Sequence, residues 1–165
     1  MIIAMIAVLV LLTALSYFPW NYIHEMSHVL MAKLRVGVAK YELKLLPYKD
    51  PVYGWRFGSC KYWLLEEPTE KDQAFISLAP RIPDALAVIM FALTGLFSGW
   101  LAVVWAAFWG AGLIDLGVGS MGISEHSDLR KAAKSAGYTP WLYRIFGWSA
   151  IATSVGAAAI MFFGG

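Results

Sequence analysis

The sequence predicts an all-α integral membrane protein: about four transmembrane helices, with a small β-strand-containing cytoplasmic loop between the first and second. Three observations predict it. Of 165 residues, 59% are hydrophobic and only 15% charged, where a soluble domain is about half apolar and roughly a quarter charged. Four apolar stretches each reach the roughly 20 residues a helix needs to cross a bilayer. The charges are also segregated. Eight of the thirteen Lys and Arg residues fall between positions 33 and 71 and four more between 130 and 144, while the first twenty and last twenty residues carry none.

The first stretch, residues 2–23, has no basic n-region and is expected to be retained as a helix rather than cleaved as a signal peptide. Pro19 should kink or restart it. The loop that follows, residues 33–73, holds "AKYELKLLP" and "YGWRFGSCKYWLL", aromatic and partly alternating, around a "YKDPVYG" turn cluster. Two or more short strands are expected there. The second stretch, about 75–97, is interrupted by Arg81 and Asp84. A short "GLFSG" turn joins it to the third, about 100–118, as an antiparallel hairpin, and the third contains Asp115. In the loop 120–140, Ser124 or Ser127 can cap a short helix ending near Gly137. The fourth stretch is about 141–163.

Both long loops are basic, so the positive-inside rule puts them in the cytoplasm and both termini on the opposite side. Trp20, Tyr22, Trp141 and Tyr143 suit an interfacial aromatic belt. The whole chain, 1–165, reads as one membrane-embedded domain, with a core of about 10–120 and an extra cytoplasmic loop and fourth helix over 121–165. Cys60 is the only cysteine, so an internal disulfide and a cysteine-built metal site are excluded. A net charge of +2 does not suggest a nucleic-acid partner. The lipid bilayer is the expected surrounding.

Chemistry concentrates in "HEMSH", His24 to His28. On a helix, positions i and i+4 share a face one turn apart. His24 and His28 can therefore bind one metal ion, while Glu25 can reach the water that the ion activates without being a ligand itself. That is the H-E-x-x-H arrangement of zinc hydrolases. With three His and six Glu in the chain, the pattern is rare by chance. Ionisable side chains within a membrane are costly, and so functional by default.

A catalytic zinc usually takes three protein ligands. Asp115, in "GAGLIDLGVGS", is the favoured third. It lies toward the same end of its span as the motif, and Gly112 and Gly119 on its own face allow a close helix approach. Asp84 has Arg81 at i−3 and suits a local ion pair. Asp128 and His126, in "SEHSDLRKAA", are alternatives whose simpler role is capping and solvation. Glu70 looks like a solvated loop charge.

HEMSH in one apolar span, a strand-forming loop, a second span, and a third span with an intramembrane Asp 91 residues after His24 together resemble the site-2 protease-like intramembrane zinc metalloproteases. "SLAPRIPD" is faintly similar to the pattern opening that family's middle core helix. The likeness covers roughly residues 10–120. Family members carry their Asp as Leu-Asp-Gly, often with Asn and Pro before it; here it is Ile114-Asp115-Leu116-Gly117, without the Asn and Pro. The resemblance implies one zinc ion held by His24, His28 and Asp115, with Glu25 as general base. It also implies hydrolysis of peptide bonds in or near transmembrane segments of membrane protein substrates. An exposed strand edge around Tyr41 to Leu46 could hold such a substrate extended. Two alternatives stay open. One is a metal-binding membrane protein acting as an interaction partner without catalysis. The other is a different membrane metalloprotease class with a glutamate third ligand, Glu70 or Glu125.

Overall fold

The computed structural model describes residues 2–51, 54–56, 58–121, 127–137 and 139–163. Its elements are α1 (Ile2–Arg35), β1 (Val38–Lys44), β2 (Tyr48–Asp50), β3 (Gly54–Arg56), β4 (Ser59–Leu64), α2 (Glu70–Leu78), α3 (Arg81–Ala92), α4 (Gly99–Met121), α5 (Asp128–Ala136) and α6 (Pro140–Phe163). Among the described residues, four helical segments are long and apolar enough to cross a membrane: Ile6–Arg35, Glu70–Leu96, Gly99–Met121 and Trp141–Met161. This agrees with the four expected stretches and fits a multi-pass membrane protein.

The 34 residues of α1 continue through Pro19 without a break. At about 1.5 Å per residue the helix is longer than a bilayer core, so its last turns, with HEMSH, lie toward one end of the span. Gly37, at φ 75°, ends the helix and turns the chain into β1. The left-handed conformation there favours glycine. β1 pairs antiparallel with β4, placing Tyr41 opposite Tyr62 and Leu43 opposite Cys60, and β2 pairs with β3. The expected strands are thus present as two small two-stranded sheets.

The second span differs from a single helix. It enters as α2, capped by a reciprocal Thr69–Asp72 box, breaks at Ala79–Pro80, and resumes as α3. Proline cannot donate to the carbonyl four residues back, so the break follows from the sequence. Asp72 also receives Arg35 Nε at 2.8 Å, tying the end of α1 to the start of α2. Ser127 holds the N-cap position of α5 and Gly137 its left-handed C-cap, as expected. Ser124 lies outside the described residues.

α4 is the hub, packing against α1, α3 and α6. Trp20, Ala87 and Ala111 are buried at the junction of α1, α3 and α4. Phe108 and Trp109 meet the Trp20 ring edge-on, at centroid distances of 5.7 and 6.0 Å. Gly112 makes room for this junction, because a Cβ there would overlap the Trp20 ring and the Ala87 methyl. A second cluster of Ala32, Val36 and Ile76 joins the end of α1 to α2, with Tyr62 and Leu64 of β4 packed on it. Gly112→Val is therefore expected to destabilise the fold by about 1–3 kcal/mol or more. Thermal unfolding of the detergent-solubilised protein checks this.

Candidate metal centre

His24 and His28 lie one above the other on α1, with ring centroids 5.3 Å apart. Each ring is held through Nδ1. His24 Nδ1 donates to Asp115 Oδ2 on α4 at 2.6 Å. His28 Nδ1 donates to the backbone carbonyl of Ile76 at 2.7 Å. The second acceptor has a sequence cause. Residue 80, four positions after Ile76, is Pro80 and has no N–H to give that carbonyl. At the helix break that carbonyl takes only a long bond from Ala79 N–H, 3.4 Å, and keeps a lone pair for His28.

A carbonyl can only accept, so Nδ1 of His28 carries a proton, and Nε2 is the nitrogen left to ligate. The same holds for His24 against the Asp115 carboxylate. Both Nε2 atoms point at one atom, Asp128 Oδ2, which lies 3.4 Å from His24 Nε2 and 3.2 Å from His28 Nε2. Donor atoms of His24, His28 and Asp128 all fall within 4.8 Å of one another, so this group could hold a metal ion. Asp128 can only accept, so each Nε2 faces it either through a proton, as in the 3.2 Å hydrogen bond from His28, or through a metal ion that takes the proton's place. Metal-binding histidines characteristically give their other ring nitrogen to a carboxylate or backbone carbonyl, and here one ring uses each kind.

Charge balance points the same way. Asp115 lies 3.8 Å from Arg81 Nη2, and Arg81 Nη1 lies 2.7 Å from the buried Asp84. Lys131 Nζ is 3.8 Å from Asp128 Oδ1. With the buried Glu25, four carboxylates face three cations, Arg81, Lys131 and the Lys61 that borders the Glu25 cavity, and buried charge of one sign is costly. The excess is negative, and a bound cation would offset it. Burial would raise the carboxyl pKa of Asp128, but its contacts with the His24 and His28 imidazoles hold it well below the ordinary range. It is therefore ionised and ready to ligate.

Glu25 shares a cavity of about 270 Å³ with His28, Asp128, Lys131 and Cys60 to Tyr62 of β4. Burial, and next the charge of Glu25, push the Cys60 thiol up, so it remains a protonated neighbour rather than a nucleophile. Burial likewise lifts Tyr62 to about 12.

The residues singled out in the sequence therefore take distinct places. His24, His28 and Glu25 come together. Asp115 meets His24 at the nitrogen turned away from the convergent donors, and Asp128 occupies the third position among them. Asp84 pairs with Arg81, as its spacing implied. Glu70 is exposed at the start of α2. His126 and Glu125 lie outside the described residues. The carbonyl of Ile76 was not among the sequence candidates, although Pro80 four residues on was its signal.

Two results are expected in metal titrations of the purified protein. Asp128→Ala should lose bound metal, whereas Asp115→Ala should keep it with affinity weakened about 10–100-fold; the reverse pattern would return the third position to Asp115. Pro80→Ala, which restores an N–H for the Ile76 carbonyl, should also weaken metal binding, and unchanged affinity would separate the helix break from the site.

No protein-family model, curated protein or solved structure matches the chain.

Proposed function

We propose that the protein is an intramembrane zinc metalloprotease, hydrolysing peptide bonds in or near transmembrane segments of membrane protein substrates. The observation that carries this reading is the convergence of His24 Nε2, His28 Nε2 and Asp128 Oδ2 beside a cavity that also holds Glu25. Two imidazoles and a carboxylate suit zinc, with a fourth position left open. In this reading Asp128 completes the ligand set and Asp115 orients His24. In this reading, with the basic loops on the cytoplasmic side by the positive-inside rule, the site lies near that side of a multi-pass membrane protein and both termini lie opposite.

Zinc held there supplies a Lewis acid and acidifies a water molecule. Glu25, buried beside that position, takes the proton from the attacking water and returns it to the leaving amine. Asp115 keeps His24 in the tautomer that ligates and stabilises the positive charge on the ring edge. The Ile76 carbonyl does the same for His28. Lys131 holds Asp128 from its other oxygen. The polar cavity lined by Gln73, Lys61 and Lys131 gives water a route in from the loop side.

A transmembrane helix hides its carbonyls in its own hydrogen bonds, so a substrate must unwind before attack. The β1–β4 sheet can hold the unwound segment by strand addition. β4 contributes Cys60, Lys61 and Tyr62 to the cavity wall. This brings the place for an extended segment closer to β4 than to Tyr41–Leu46.

Glu25→Gln is expected to retain one zinc per chain and to lower hydrolysis of a transmembrane substrate by about 10²–10⁴-fold. Cleavage in reconstituted vesicles, run beside metal analysis of the same sample, checks both halves. Wild-type cleavage by the Glu25→Gln protein would refute the mechanism.

A further inference from the structure

The metal centre has a second flank. Besides the polar cavity of Glu25, a smaller one of about 230 Å³ is bordered by His24 and Asp128 together with Arg81, Val118, Gly119 and Leu129. Three of these residues, Arg81, Gly119 and Leu129, also border a larger groove of about 510 Å³ between α3, α4, α5 and α6. Gly119 borders both spaces, and a Cβ there would lie 2.8 Å from the Arg81 guanidinium, so the missing side chain lets that group pack against α4 between them.

The chemistry changes from one space to the other. Arg81, between them, is engaged by Asp84 and Asp115. Beyond it the groove walls are apolar, formed by Val88, Leu116 and Phe146, with Tyr143 at the side. Its volume falls in the range of sites that enclose a small apolar ligand group. Much of the wall comes from α6, a helix outside the part of the chain that carries the family resemblance.

We propose that this groove is a specificity pocket, taking one large apolar side chain from the substrate residue next to the scissile bond. The inference rests on the protease reading of the same centre. An extended peptide whose carbonyl sits at the metal, with Glu25 on one flank, projects a neighbouring side chain toward the other. Water and the base occupy the polar flank, and the apolar flank selects. The groove's place beside the metal centre sets its occupant, because Arg81, Gly119 and Leu129 border both spaces.

The test uses short peptide hydroxamates, which anchor on a bound metal and need no turnover. Two probes differ only in the side chain next to the hydroxamate, isobutyl or methyl, and are titrated onto the zinc-loaded protein. The isobutyl probe is expected to bind roughly tenfold or more tightly, the discrimination that a few methylenes give in an apolar pocket. Ala85 borders the groove and is exposed, and Ala150 borders it from α6. Ala85→Trp and, separately, Ala150→Trp should abolish the preference while the methyl probe binds as before. Equal binding of both probes to the wild-type protein overturns the pocket and leaves the metal centre standing. A preference that survives both tryptophan variants also overturns it. A preference present in detergent but absent in phosphatidylcholine nanodiscs assigns the groove to a lipid chain and overturns it as well. Binding of neither probe refutes the zinc-protease reading and the pocket together.

Discussion

Two hydrogen bonds, from His24 Nδ1 to Asp115 and from His28 Nδ1 to the Ile76 carbonyl, decide where the remaining ring nitrogens point. Without them each imidazole could swap tautomer or rotate, and the i, i+4 spacing would only bring two rings near each other. With them, both Nε2 atoms face Asp128. The acceptors come from different elements, α4 and α2, so the site forms only when both pack on α1. The close packing of Trp20 against Ala87 and Ala111 at Gly112 fixes α4 at the distance Asp115 needs. The cluster of Ala32, Val36 and Ile76 fixes α2 at the distance His28 needs.

Buried charge is the second constraint. Arg81 lies between Asp84 and Asp115, and neither carboxylate would be tolerable alone in an apolar bundle. The ion pairs and imidazoles form a chain from Asp84 through Arg81, Asp115 and His24 to Asp128. That chain gives the fold a reason to hold a cation at its end. It also explains why the bundle tolerates so many ionisable groups in segments that are otherwise apolar.

Much of this was readable in the sequence, because the signals were local. Helical spacing turned HEMSH into one face, hydropathy marked the four long helices, and alternation marked β1 and β4. The i−3 spacing of Arg81 and Asp84 announced their pair. What could not be read was long-range docking. Asp128 lies 100 residues from His28 on a short polar helix, where a carboxylate is more simply explained as a cap. Its signal was fainter. Leu129, Ala132 and Ala133 are buried at helical spacing, so α5 packs against the bundle and pins its first residue. Asp115 was found by depth and by the small residues around it, but neither feature distinguishes a ligand from the partner of a ligand. The break at Pro80 was visible as a proline, yet its consequence, a carbonyl left for His28, depends on a tertiary contact between α1 and α2.

The most direct test of the central claim is X-ray absorption at the zinc edge on the purified, zinc-loaded protein. The account predicts two imidazole nitrogens at about 2.0–2.1 Å and carboxylate or water oxygen at about 2.0–2.2 Å. A spectrum showing only oxygen ligands, without imidazole scattering, would contradict it.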